Sequence, residues 1–430
     1  MESNLRRVLM NVTTSKLNEK YVKNLVCFLF GRITSELGTS IFKFALSLHI
    51  LDITGSATIF STILSVGMLP SIFVNIFAGI GIDRGNKKKI MVACDCTSAV
   101  CMIIFFLTYL KVYDSILLLG VYSIVLSTIQ SVFSLTVYSS IPNLFAKDKI
   151  MKINSDYQAV GAVVNILGPV LGGVLYYAIS FKYIIIIEIV TFVLSALSEL
   201  LFTYKKNIMQ DNNKFSDNFR NVYGYISREK IIFNLLTIVL IVNFVFIPLT
   251  SVLLPYYGYK VMELSSTALG SLQASWSVGV IIGAVFASIK LIQSKLCKLI
   301  FRFLQLQGVV ILLWLIPSVL FNHSVTAIVV LVTFGGILLV GGLFNSIINI
   351  PMMTYLQVAV PENIRASIYG VVNTCVMIAA PIGIWLYGII IDKMNISIGV
   401  VISGVIILIT STLACHNKGM REFFAKEIKD

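Results

Sequence analysis

The apolar segment 24–48 contains three charged side chains, Arg32, Glu36 and Lys43. A helix turns by about 100° per residue, so these three residues fall within about 40° of one another and form one polar stripe. A charge at the centre of a lipid bilayer costs roughly 2.5–3.5 kcal/mol. If this segment crosses a membrane, each charge therefore needs a partner or a water-filled cavity.

Segment 183–203 has the same character, because Glu188 and Glu199 fall on one side of a helix. Lys43 and Glu188 each lie about 8 Å below the expected outer end of their segment, at a rise of about 1.5 Å per residue. We therefore expect these two side chains to pair. Glu199 lies near the expected inner surface, and we expect its carboxylate to extend into the water there.

Two interpretations of Arg32 and Glu36 remain open, since the two residues are one helical turn apart. In the first, Glu36 binds and releases a proton in exchange for a substrate, as ionisable groups within membranes often do. In the second, Arg32 and Glu36 form a fixed ion pair that only holds the segment in place.

The composition indicates an integral membrane protein. Of 430 residues, 57% are hydrophobic and 12% charged, whereas a soluble domain carries about 25% charged residues. A helical span needs roughly 20 apolar residues. Segments 24–48, 90–110 and 183–203, together with a stretch at 303–361 that divides near Pro317, account for five spans. Seven further spans are free of charge, at 53–82, 115–146, 157–181, 231–259, 264–289, 366–391 and 394–417. We therefore predict an all-α membrane protein with twelve transmembrane helices.

The basic residues predict the orientation. Of the 33 lysines and arginines, 27 fall in segments that would face the cytoplasm if both termini lie inside, and only four fall in outer loops. We therefore expect a multi-pass protein of the plasma membrane with both termini cytoplasmic. The net charge of +13 is then a topology signal, and no dense basic-aromatic region supports nucleic-acid binding.

The polar stretch 204–230 separates six spans from six spans. It divides the chain into an N-terminal six-helix bundle at 1–203, a cytoplasmic linker at 204–230 and a C-terminal six-helix bundle at 231–430. The halves also share short matches at a constant offset of 212 positions. Ser65-Val66-Gly67 recurs as Ser277-Val278-Gly279, Tyr157 as Tyr369, and Pro169 as Pro381. We therefore expect two pseudo-symmetric bundles with a substrate site between them.

The loop after the second span carries the most specific motif, Gly79-x3-Asp83-Arg84, followed by Lys87, Lys88 and Lys89. It resembles the loop between spans two and three of the major facilitator superfamily, and the chain is similar to drug:proton antiporters of the macrolide-efflux-like branch. The resemblance implies the major facilitator fold and a conformational latch formed by Gly79, Asp83 and Arg84. The lysines are better explained as ordinary cytoplasmic charges.

The fifth span contains Gly161, Gly168, Pro169 and Gly172. This pattern resembles the glycine-proline motif of exporters in the same superfamily, and Pro381 is its counterpart in the second half. The resemblance implies a helix interface that bends during transport. Close packing of small residues alone would also explain the pattern.

Polar residues within other spans are candidates for substrate contact. In the superfamily, spans one, four, seven and ten line the central cavity. This resemblance assigns cavity positions to Gln130, Asn243, Asn345 and Asn349. The alternative for each is a hydrogen bond between helices.

These features together predict a secondary active transporter that works by alternating access and exports amphipathic, drug-like compounds in exchange for protons. The fourth span lacks the arginine that many proton-coupled relatives carry there, so coupling by that route is open. The alternatives are a transporter of a lipid, siderophore or peptide, and a membrane sensor or scaffold that transports nothing. We expect a monomer in the lipid bilayer. We also expect that the protein is not an enzyme, because the sequence contains no Walker, GxSxG or HExxH pattern. We expect no cofactor and no metal site.

Overall fold

A computed structural model describes most of the chain. The described residues are 2–77, 82, 85–145, 149–203, 229–288, 299–317, 327–359, 362–417 and 419–420. Within these ranges the regular structure is helical, without a strand. The predicted latch residues Gly79, Asp83 and Arg84 lie outside the described residues, as does most of the predicted linker.

Twelve helices within the described ranges are long and apolar enough to cross a membrane. This confirms the predicted all-α membrane protein with twelve spans. In chain order they contain the helices α1 (Glu2–Thr54), α2 (Ala57–Phe77), α3 (Lys87–Lys111), α4 (Ile116–Leu144), α5 (Ile150–Ala178), α6 (Phe181–Leu200), α7 (Lys230–Pro248), α8 (Ser266–Ser288), α9 (Ile300–Leu312), α10 (Ala327–Ala359), α11 (Glu362–Lys393) and α12 (Ile396–His416). The seventh span continues beyond α7 to Val261, and the ninth continues beyond α9 to Pro317. Helix α1 begins well before the predicted segment, because the polar residues ahead of position 24 continue the helix.

Several helix boundaries follow from capping residues in the sequence. The Asn86 side chain accepts a hydrogen bond from the Lys89 backbone N–H at the start of α3. The Asn395 side chain does the same for Ser397 at the start of α12. Gly55 ends α1 with a positive φ of 61°, a conformation that glycine adopts at little cost.

The chain forms two compact units. The first contains 1–43, 73–168 and 179–210. Within it α3 packs against α4 and α6. Asn24 ties α1 to its neighbours, because its side-chain amide donates to the Leu144 carbonyl at 3.2 Å and accepts from the Thr203 backbone N–H at 2.9 Å.

The second unit contains 44–72, 169–178 and 211–430. Within it α8 packs against α10, α9 against α12, and α7 against α11. Helix α7 continues beyond Pro248 through two π-helical segments, Leu249–Leu253 and Tyr257–Val261. Such segments are uncommon and occur mainly where a helix serves a function.

Glycine allows α8 and α10 to approach closely. A β-carbon on Gly342 would collide with the backbone carbonyl of Trp276, and one on Gly279 would collide with the carbonyl of Leu339. Small residues at such contacts drive helix association in membranes through close packing.

We predict that Gly342→Ala destabilises the folded protein by about 1–3 kcal/mol, the range found when extra atoms are forced into a packed interior. Thermal unfolding of the protein in detergent micelles measures this. Gly336→Ala in the same helix is the matched control, because nothing lies within 4 Å of a β-carbon there. Equal unfolding temperatures for the two variants would contradict the prediction.

Candidate functional site

The polar stripe of α1 lies within the first unit, and Arg32 is its most constrained member. Arg32 Nε lies 2.9 Å from Glu36 Oε1. The guanidinium also stacks on the Tyr157 ring of α5, with its central carbon 3.0 Å from the ring centroid. Gly161 leaves room for this arrangement, because a β-carbon there would lie 3.2 Å from Arg32 Nη2.

The two members of this ion pair differ in exposure. The Arg32 side chain is 8% exposed, whereas the Glu36 side chain is 33% exposed. A cation–π contact gains strength when the cation is removed from water. Arg32 is thus held by two contacts, and Glu36 is the more exposed member of the pair.

The Glu188 carboxylate of α6 is 1% exposed and is held by hydroxyl groups. Thr39 Oγ1 donates to Glu188 Oε1 at 2.9 Å, and Thr191 Oγ1 donates to Glu188 Oε2 at 3.2 Å. Lys43 and Glu188 also attract each other electrostatically. Thr39 and Thr191 were not among the predicted site residues, although Thr39 extends the polar stripe of α1.

Gln130 of α4 joins the same group of side chains. Its Nε2 donates to Thr39 Oγ1 at 2.7 Å, and the Thr39 hydroxyl in turn donates to Glu188. This chain of hydrogen bonds joins α4, α1 and α6. Gly38 permits the approach of α6, because a β-carbon there would collide with the side chains of Thr191 and Glu188.

Glu199 departs from the sequence expectation. Its side chain is 2% exposed instead of reaching the water, so the expectation was wrong. Side chains on a helix lean toward its N-terminus. A carboxylate near the C-terminal end of α6 is therefore directed back into the helix bundle, where Asp95 of α3 is its acidic neighbour.

The predicted amides of the second unit bind their own helices. Asn243 Nδ2 donates to the Val239 carbonyl at 2.8 Å, and Asn349 Nδ2 donates to the Asn345 carbonyl at 3.0 Å. Their assignment to a substrate cavity stays a prediction.

The glycine-proline motif of α5 contacts two different helices. Within the first unit, a β-carbon on Gly168 would collide with Ser40 of α1. Within the second unit, the Pro169 carbonyl lies against Gly270 of α8, and the Gly173 carbonyl accepts a hydrogen bond from Ser266 Oγ at 2.7 Å.

The remaining members of the motif are also placed. Gly172 is buried, and the Pro381 carbonyl of α11 accepts from Ser65 Oγ of α2 at 2.9 Å. These contacts are close enough for a helix interface, and a bending role stays a prediction.

A carboxylate that was not predicted holds the N-terminus of α2. Asp392, at the C-terminal end of α11, accepts hydrogen bonds from Ser56 Oγ at 2.5 Å and from the backbone N–H groups of Ala57 and Thr58, each at 2.8 Å. A negative charge is unfavourable at the C-terminus of its own helix and favourable at the N-terminus of another. That mismatch within α11 is the sequence signal that could have identified Asp392.

A second carboxylate of the same unit, Asp52, joins the ends of three helices. Asp52 Oδ2 accepts from the hydroxyls of Tyr176 at 2.7 Å and Tyr259 at 2.9 Å. Asp52 Oδ1 lies 3.2 Å from Lys260 Nζ. The ends of α1, α5 and the π-helical extension of α7 therefore meet at this residue.

Within the described ranges, no group of three or more histidine, cysteine, aspartate or glutamate side chains could hold a metal ion. The charged residues described above instead form ion pairs and hydrogen-bonded chains between helices.

The sequence model of one protein family, the Major Facilitator Superfamily, matches residues 28–384. The chain belongs to this superfamily. It is therefore a multi-pass membrane transporter and not an enzyme.

Two relatives of this transporter share low sequence identity with it. Macrolide efflux protein A of Streptococcus pyogenes is 20% identical over 398 residues, which cover 88% of this chain and 92% of that protein. An uncharacterised MFS-type transporter, YkuC, of Bacillus subtilis (strain 168) is 24% identical over 225 residues, which cover 50% of this chain and 52% of that relative.

The transporter also resembles a solved structure, a bacterial homologue of the iron transporter ferroportin in an inward-facing state. The TM-score is 0.70 at 16% identity, with 91% of this chain and 99% of the other covered. This likeness confirms the expected major facilitator fold.

We predict that Asp392→Ala weakens the attachment of α2 and destabilises the transporter by about 0.5–2 kcal/mol, as the loss of a helix cap usually does. Thermal unfolding in detergent micelles measures the change. Lys393→Ala is the control, since it removes the adjacent charge and leaves the cap in place. A drop for Lys393→Ala that equals the drop for Asp392→Ala would show that the cap contributes nothing.

Proposed function

We propose that this transporter of the plasma membrane exports amphipathic, drug-like compounds in exchange for protons, and that Glu36 carries the exchanged proton. The observation that carries the proposal is the unequal exposure of the Arg32–Glu36 pair. Arg32 is anchored on Tyr157, so protonation of Glu36 leaves an anchored cation without its counter-charge.

That charge imbalance provides the coupling. Neutralising one member of an ion pair leaves the other charge uncompensated. The cost reaches about 3–5 kcal/mol when both members are buried, and it is smaller here because Glu36 is 33% exposed. A change of conformation or the release of a substrate relieves this cost. Proton binding and substrate binding therefore exclude each other, as antiport requires.

Alternating access further requires contacts at one end of the helices to break while others form. Asp392 and the N-terminus of α2 are suited to this, because they join a helix from the first half of the sequence to a helix from the second. Three hydrogen bonds converge on this carboxylate, so it acts as a discrete contact that is either made or broken.

The substrate class is supported by the match to macrolide efflux protein A over 88% of this chain. An alternative is a physiological solute such as a lipid, siderophore or peptide. A sensor or scaffold would transport nothing.

A flux assay distinguishes the proposed exporter from these alternatives. Proteoliposomes are loaded with a labelled macrolide or with a lipophilic cation dye, and a pH gradient is imposed across their membrane. Saturable efflux that depends on the gradient supports the proposal, and its absence for every compound tested contradicts it.

We predict that Glu36→Gln reduces flux driven by the pH gradient by about tenfold or more, since the loss of about 1.4 kcal/mol of coupling is already a factor of ten. Flux down the substrate's own gradient should persist in this variant. The same proteoliposome assay measures both quantities. Glu263→Gln, which neutralises an exposed carboxylate in the turn before α8, should leave both unchanged. Full coupling in Glu36→Gln would assign to the Arg32–Glu36 pair a purely structural role.

A further inference from the structure

A second pair of carboxylates lies inside the first unit, apart from Glu36. Asp95 of α3 and Glu199 of α6 are each 2% exposed, and they repel each other electrostatically. Helices α3 and α6 pack directly against each other, so the two side chains share one interface.

The pair is only partly satisfied. Asp95 Oδ2 and Glu199 Oε2 have no hydrogen-bond partner among the described residues. The buried hydroxyl of Ser195 faces Asp95 and interacts with its carboxylate, but it does not reach Glu199 Oε2. A buried acceptor without a partner costs about 1–3 kcal/mol, and more when it is charged. Two unsatisfied carboxylate oxygens on facing helices indicate that something further binds between them.

Helix α1 closes this space on one side. A β-carbon on Gly31 would collide with Ser198 Oγ and lie 3.5 Å from Ser195 Oγ. The backbone of α1 therefore lies against α6 beside Ser195, the residue that faces Asp95.

The neighbouring cations have other partners. Arg32 binds Glu36 and Tyr157, and Lys43 interacts with Glu188 and Glu36. Lys88 Nζ donates to the carbonyls of Leu200 and Phe202, each at 2.7 Å. The other titratable neighbours, Cys94 and Glu188, bring no positive charge. Within the described part of the chain, no cation therefore compensates two ionised carboxylates at this position.

We propose that Asp95 and Glu199 bind a single proton between them. The proton forms an O–H bond on one carboxyl group, which then donates a hydrogen bond to the other carboxylate. Binding changes the charge of the pair from −2 to −1 and satisfies the two unpartnered oxygens. Close carboxylates in a low-dielectric site share a proton because both cannot remain ionised together.

This site deepens the proposed function, because it gives the N-terminal half a proton-binding site besides Glu36. The claim that its proton is transported rests on that function, whereas the binding itself does not. A divalent metal is a poor occupant, since Ca²⁺ takes six to eight oxygen ligands. A sodium ion is the competing occupant that the test must separate from a proton.

The test counts the protons that the purified transporter takes up between alkaline and mildly acidic pH, in lipid nanodiscs and without sodium. We expect Asp95→Asn, Glu199→Gln and the double variant each to take up one proton fewer than the wild type. This equality is the signature of a shared proton, because independent carboxyl groups would make the double variant lose two. An unchanged count in all three variants, or a loss of two in the double variant, would overturn the proposal.

Two further measurements keep the outcome interpretable. Adding sodium at constant pH should release no proton, and stoichiometric release would identify a sodium site instead. Thermal unfolding should show a stability that falls as pH rises in the wild type and not in the double variant, because proton loss leaves adjacent charges in the folded state. Glu36→Gln should keep this pH dependence. A loss of transport coupling in Glu36→Gln alone, or in the carboxylate-pair variants alone, shows separately which proposal fails.

Discussion

The cost of an ionised group at membrane depth governs the organisation of the first unit. Such a group is stable only when other groups replace the water it has lost. Arg32 receives a carboxylate and an aromatic face, and Glu188 receives two threonine hydroxyls and an electrostatic interaction with Lys43. Each partner comes from a particular helix. The charges of α1 therefore fix which helices lie beside it.

The second unit meets the constraint differently. Its amides at Asn243 and Asn349 bind their own helix backbone, and its α8–α10 interface relies on glycines. Its described carboxylates Asp52 and Asp392 lie at helix ends, where backbone N–H groups, tyrosines and a lysine stabilise them. Ionisable groups at depth are thus concentrated in one unit, and anchored carboxylates at helix ends belong to the other.

The sequence was sufficient to predict the features that depend on local pattern. Charge-free stretches predicted the twelve helices, and the spacing of Arg32 and Glu36 predicted that one turn separates them. It was insufficient where the partner lies far along the chain. Asp392 binds residues more than 330 positions away, and Glu199 turns toward Asp95 because of how α6 packs on α3. Helical periodicity tells which face a residue occupies, but it does not tell which helix that face meets.

The π-helical extension of α7 has a consequence for the register of that helix. A π-helical turn accommodates an extra residue and so rotates every following side chain relative to a regular α-helix. Tyr259 and Lys260 follow the first such segment, Leu249–Leu253, and lie within the second. Both contact Asp52 from this rotated register. The contact is therefore encoded by the number of residues in α7 as much as by their identity, and losing one residue upstream would turn both side chains away from Asp52.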